Sequence, residues 1–201
     1  MKITLTILLF CIGVFNLQAQ NPPENRQQNT AQWSNISVKL GNIAATSNLV
    51  DVHFIDNNNG LISSGNRAEV YVTTDGGNSF MIKAVPNGGF LNSIFMLSST
   101  EFYGGAQNNR IYRSTNSVAD WTSLGPTGTP VRSITFPAGS ATGYTVGHYG
   151  NSHQITSGGI TNLPTGLFGN LRSVSFPTAT EGWLCGGVII RHFTGGVWVA
   201  D

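Results

Sequence analysis

The sequence predicts an all-β fold in which one small antiparallel sheet is spelled out four times. Three observations carry this: a self-similarity of about 40 residues, apolar alternation with a period of two inside each copy, and glycine-rich turns between the strands. Charged residues make up only 9% of the chain and glycine fills 25 of its 201 positions, a balance that suits short strands and tight turns better than helices.

At the N-terminus Lys2 precedes the apolar run Ile3 to Phe15, and Leu17-Gln18-Ala19 closes it on a small residue, so residues 1–19 read as an export signal cut after Ala19. The run is shorter than the roughly 20 residues of a membrane span, and no later segment approaches that length. Bulky Phe10 beside Cys11 argues against a lipid-modified cysteine. The expectation is a secreted, periplasmic or cell-surface protein with no membrane span. Residues 20–32, with Pro22-Pro23 and many Gln and Asn, read as a flexible leader, and residues 33–201 as the repeat domain. Ten basic and nine acidic residues become nine of each once Lys2 is removed, so no bulk charge draws a nucleic acid. Only Cys185 would survive processing, which leaves no intrachain disulfide to expect.

The first strand of each repeat is Leu49-Val-Asp-Val-His-Phe54, Leu91-Asn-Ser-Ile-Phe-Met96, Val131-Arg-Ser-Ile-Thr-Phe136 and Leu171-Arg-Ser-Val-Ser-Phe176, with starts 42, 40 and 40 residues apart. Positions one, four and six are apolar, and position three is Asp51, Ser93, Ser133 or Ser173. About ten residues on, a second strand runs to a closing glycine at Gly65, Gly105, Gly147 and Gly186, which implies either positive φ or a close backbone approach. Third strands follow at Glu69 to Thr73, Arg110 to Ser114, His153 to Thr156 and Val188 to His192, and fourth strands at Phe80 to Val85 and Trp121 to Leu124. The last repeat stops three residues after Trp198, whereas Trp33-Ser-Asn-Ile-Ser-Val-Lys-Leu40 is a strand without a sheet. The expected architecture is therefore a β-propeller of about four four-stranded blades, closed by the N-terminal strand 33–40 so that no sheet edge stays open.

Between the third and fourth strands the first repeat reads Thr73-Thr-Asp75-Gly-Gly77-Asn-Ser79-Phe80. An Asp carboxylate there accepts turn N–H groups, glycine tolerates a left-handed residue, and the aromatic pins the hairpin to the blade. The later copies look eroded: Asn116 replaces the acid in Ser114 to Trp121, Thr156 to Thr161 has no acid, and Phe193 to Trp198 keeps two glycines and the aromatic. With these motifs the chain resembles the Asp-box (BNR) propellers over residues 49–198, especially the branch related to the photosystem II assembly and stability factor. The resemblance implies a non-enzymatic scaffold whose surface binds a protein partner. It also implies more blades than four, so the chain reads as a complete small ring, a piece of a larger one, or a half that associates with another copy.

Thr73, Asp75, Gly77, Ser79 and Phe80 are read as structural, because one carboxylate that satisfies its own turn leaves too few oxygen ligands for Ca²⁺. No metal or cofactor is expected. Arg132 and Arg172 occupy one position in adjacent repeats and are the candidates for a binding patch at one mouth of the ring. Sialidases share the box, so a glycan-binding or glycan-cleaving propeller is the alternative function. The resemblance to them implies an arginine cluster and a Tyr nucleophile paired with Glu, but their opening Arg-Ile-Pro motif is absent and no acid pair can be nominated. Cys185 is expected to be a buried thiol and Trp183 a core residue. The four histidines lack metal-site spacing.

Overall fold

The computed structural model describes residues 47–200, all within one compact unit, Ile36–Asp201. The export signal, the leader and strand 33–40 lie outside the described residues. Sixteen strands form four antiparallel sheets in simple meander order. The first blade holds β1 (Leu49–Phe54), β2 (Gly60–Ser64), β3 (Glu69–Thr73) and β4 (Met81–Ala84). The second holds β5 (Leu91–Met96), β6 (Phe102–Ala106), β7 (Arg110–Ser114) and β8 (Thr122–Pro126). The third holds β9 (Val131–Thr135), β10 (Gly143–Gly147), β11 (Ser152–Thr156) and β12 (Gly159–Asn162). The fourth holds β13 (Ser173–Ser175), β14 (Gly182–Gly186), β15 (Ile189–Thr194) and β16 (Val197–Val199). The first strands pack in succession, β1 on β5, β5 on β9 and β9 on β13, which is the propeller arrangement that the 42, 40, 40 spacing predicts.

In the second, third and fourth blades, apolar positions one, four and six of the first strand face the preceding blade. Leu91, Ile94 and Met96 share a core with Leu61, Val70 and Val72 of the first blade. Val131, Ile134 and Phe136 meet Tyr103 and Ile111 of the second, and Leu171, Val174 and Phe176 meet Tyr144 and Val146 of the third. At the last of these interfaces the Tyr144 and Phe176 rings stack 3.7 Å apart. The polar third position has a separate task. Asp51 Oδ2 accepts the Ile94 N–H at 2.8 Å, Ser93 Oγ the Ile134 N–H at 3.1 Å, and Ser133 Oγ the Val174 N–H at 3.3 Å. Each blade thus binds the backbone of the next through one short side chain.

The closing glycines resolve to close approach, since none of the four has a left-handed φ. A Cβ would lie 2.3 Å from Val131 at Gly105, 2.4 Å from the Pro130 carbonyl at Gly147 and 2.2 Å from the Asn170 carbonyl at Gly186. A second row of glycines opens β2, β10 and β14. At Gly60, Gly143 and Gly182 a Cβ would come within 2.6 Å of the rings of Phe54, Phe136 and Phe176, their cross-strand partners. In the second blade the same pair is Met96 and Phe102, so the ring comes from the opposite strand and the volume is kept.

The fourth blade corrects two expectations. It has its own fourth strand, because Gly195 (φ 58°) and Gly196 (φ 86°) reverse the chain in two residues and Trp198 pairs with Phe193. Cys185 and Trp183 are exposed, Trp183 by 40%, although the equivalent Ser63, Leu61, Tyr103 and Tyr144 are buried. They point to the side where a following blade would sit, and among the described residues none does. The first blade shows the converse: Leu49, Val52 (58%) and Phe54 (42%) are exposed where the other blades bury these positions. Among the described residues the four sheets do not close into a ring.

Ser93→Ala should cost about 1–2 kcal/mol in urea unfolding, because the buried Ile134 N–H loses its acceptor. Gly143→Ala and Gly182→Ala should each cost about 1–3 kcal/mol through overpacking against a buried ring, and Gly60→Ala clearly less, since half-exposed Phe54 can move aside.

Candidate functional site

The topology sorts the loops onto two rims. One carries the links from β1 to β2 and from β3 to β4 of each blade; the other carries the β2 to β3 links and the connections between blades.

On the first rim, the Thr73, Asp75 and Ser79 side chains of the complete box bond within the turn. The Thr73 hydroxyl donates to Asp75 Oδ1 at 2.8 Å and accepts the Gly77 N–H at 2.8 Å. The Ser79 N–H and hydroxyl donate to the two Asp75 oxygens at 2.9 and 2.7 Å. The Ser79 hydroxyl first, then its N–H and the Thr73 hydroxyl, hold the Asp75 carboxyl down at about 2. Gly76 donates to the Asn58 carbonyl at 3.0 Å, docking the hairpin onto the neighbouring loop, and Phe80 is buried with Ile62 and Tyr71.

The second box keeps this geometry with other residues. Asn116 Oδ1 accepts the Ser114 hydroxyl at 3.1 Å and the Asp120 N–H at 2.9 Å, and Ser114 Oγ accepts the Val118 N–H at 3.0 Å. Ser117 (φ 57°) and Val118 (φ 60°) stand in the left-handed places of Gly76 and Gly77. Buried Val118 and half-buried Trp121 pack on the core between the first two blades, which offsets the strain. The third and fourth copies are replaced by two-residue hairpins, Thr156 pairing with Gly159 and Thr194 with Val197.

The second rim holds the nominated arginines. Arg132, half-buried on β9, donates its Nε–H to His148 Nε2 at 2.8 Å. Arg172 is exposed just ahead of β13. Burial, then the guanidinium charges of Arg132 and Arg172, push the His148 imidazole below its ordinary 6.5. The Nε2 lone pair that accepts this bond orients Arg132.

Two aromatics that sequence reasoning did not nominate complete the site. Tyr149 is 70% exposed and held at φ 56°, uncommon for a residue with a side chain. Phe168 is 90% exposed on the connection between the third and fourth blades. Their loops are joined by the Gly150 N–H to the Gly169 carbonyl at 2.7 Å and by the Tyr149 N–H to Asn170 Oδ1 at 3.4 Å. The glycines around Phe168 were the one available signal in the sequence, since such loops carry no periodicity. This rim thus carries two arginines and two exposed aromatic side chains on joined loops, a combination suited to a carboxylate attached to an apolar chain.

Tyrosine and glutamate do pair elsewhere. Tyr103 Oη donates to Glu101 Oε1 at 2.8 Å, and Arg113 binds the same carboxylate at 2.8 Å. Tyr103 is 1% exposed between blades, and burial, then Glu101, push its hydroxyl up to about 12, which is the reverse of nucleophile activation. The other described acids are likewise engaged, Asp51 by the Ile94 N–H, Asp56 by Asn58 and Asn59, Glu69 by Tyr71, Asp120 by Asn116 and Glu181 by His192 and Thr194.

No model of a known protein family matches the sequence, and no curated protein matches it. Among solved structures the chain is similar to YCF48 bound to D1 peptide (17% identity, TM-score 0.61), covering 77% of this chain and 55% of that one. It is similar to the WD40 β-propeller domain of Doa1 (12%, 0.64; 78% and 55%) and to the computationally designed Ika4 protein (8%, 0.62; 76% and 94%). At these identities the likeness shows the fold, a β-propeller. The chain spans about half the length of the YCF48 and Doa1 structures it matches.

Ser117→Gly should raise stability by up to about 1 kcal/mol in chemical unfolding, because exposed Ser117 carries a left-handed φ that glycine adopts freely.

Proposed function

We propose that this chain is an exported, non-enzymatic propeller of the Asp-box lineage that recognises a protein partner, and that it grips a carboxylate-bearing peptide segment at the Arg132–His148–Arg172 rim. The observation that carries the reading is the union of two guanidinium groups with exposed Tyr149 and Phe168 on hydrogen-bonded loops. Arginine and aromatic side chains dominate the binding energy of protein interfaces, and fixed loops lower the ordering cost of binding. The solved likeness to a propeller holding a peptide supports the same class of ligand. The export signal expected over residues 1–19 supports an extracytoplasmic partner. A sialidase-type reaction gains no support, because the Tyr–Glu pairs sit inside the blades and not at a mouth.

The test is fluorescence binding of synthetic peptides that end in an aromatic residue with a free carboxylate, against their amidated forms. The free-acid peptides should bind more tightly and lose affinity with added salt. Arg132→Gln and Arg172→Gln should each weaken binding about tenfold, while Asp75→Asn on the opposite rim leaves it unchanged. Equal binding of both peptide forms by all variants, or turnover of a sialoside substrate, would overturn the proposal.

A further inference from the structure

The two ends of the arc are unlike in sequence yet complementary in kind. The leading face of the first blade exposes Leu49, Val52, Phe54 and Ile82. The trailing face of the fourth exposes Trp183, Cys185 and Ile190. These are the same two halves of the interface that the chain makes three times internally, where positions one, four and six of one blade enter a surface made by the second and third strands of the blade before it.

The polar parts of that interface are also in place. In the second blade Glu101 anchors Arg113 under Tyr103, and Arg113 Nη1 reaches the Ser157 carbonyl of the third blade at 3.5 Å. In the fourth, Glu181 anchors His192 at 2.5 Å, with Trp183 stacked on the imidazole at 4.6 Å and no blade beyond them among the described residues. Ser173 holds the place of Ser93 and Ser133 but is exposed and makes no such bond there.

From this we infer that a second copy of the same chain covers both faces: the first blade of each copy docks on the fourth blade of the other, and two arcs close into one ring of eight blades. Exposed apolar faces of this extent mark association surfaces, and head-to-tail contacts that close are a standard route to a symmetric dimer. The occupant follows from complementarity: the two exposed faces of the described blades are the mating halves of one repeated interface, so a second copy supplies the partner of each. The seams fall between the fourth and first blades, whereas the arginine rim lies between the third and fourth, so this inference and the peptide proposal stand or fall separately.

The purified full chain is measured by light scattering over a dilution series, with maleimide labelling read at Cys185 by peptide mass. The expected result is the mass of two chains, with labelling slowed at least about tenfold relative to the dissociated state, since the equivalent Ser63 and Val146 are buried by the next blade. Val52→Asp and Trp183→Lys, on opposite faces and both exposed in one copy, should each yield a cooperatively folded single chain with fast labelling. A single chain at every concentration overturns the inference. So does a ladder of larger masses, a pair in which Cys185 labels as fast as in the dilute protein, or protection of Cys185 in a monomer that is lost on removing residues 20–46. Should either variant fail to fold, the concentration dependence of Cys185 labelling in the unaltered chain decides alone.

Discussion

One hydrogen bond, repeated from blade to blade, organises this molecule: a short oxygen at the third position of one first strand accepts the N–H of the fourth position of the next. The first strand of a blade pairs with only one neighbour, so its inner edge would otherwise leave backbone donors without acceptors. Asp51, Ser93 and Ser133 meet that need with side chains too short to hold the blades apart. The closing glycines answer two separate needs: a Cβ at Gly105 would meet Val131 of the next blade, whereas at Gly147 and Gly186 it would meet the backbone that leads into the blade's own first strand. Large apolar residues at positions one, four and six then fill the wedge between the sheets as it widens away from these contacts.

Much of this was legible in the sequence because it is periodic. The spacing of 42, 40 and 40 and the polar third position recur and cannot be mistaken for a helix pattern. What escaped was whatever depends on having a neighbour. Cys185 and Trp183 sit mid-strand like their buried equivalents, and no local pattern says whether another blade lies beyond them. The second box read as eroded because its glycines are gone, yet Asn116 supplies the acceptor and Val118 gains a place in the core that a glycine could not fill. Tyr149 and Phe168 lie on connections whose conformation is set by backbone contacts between loops and not by any repeat.

The two rims differ in how their polar groups are used. Around the first two boxes the Thr73, Asp75, Ser79, Ser114 and Asn116 side chains bond inside their own hairpins. On the opposite rim the guanidinium of Arg132 commits one N–H to His148, Arg172 stands exposed, and two aromatic rings face solvent. A surface whose hydrogen-bonding capacity is consumed internally has little to offer a partner, and one with spare donors on fixed loops has much. The proposed recognition site therefore lies on the rim where the repeat is least regular.

The Phe–Gly pairs show how such a fold tolerates drift without losing its shape. In three blades the sixth position carries phenylalanine over glycine, and in the second the pair is methionine facing phenylalanine, so the ring changes strand while the space stays filled. The same logic separates assembly from binding. Faces between blades are constrained by packing, and the rim above them is constrained only by the need to leave each first strand at the correct height. Arg132 and Arg172 share a repeat position where Val50 and Asn92 stand in the earlier blades, and Asn92 spends its amide on the Val131 carbonyl and Gln107. That position thus serves the contact between blades in the second blade and carries a guanidinium in the third and fourth, where Arg132 bonds His148 instead.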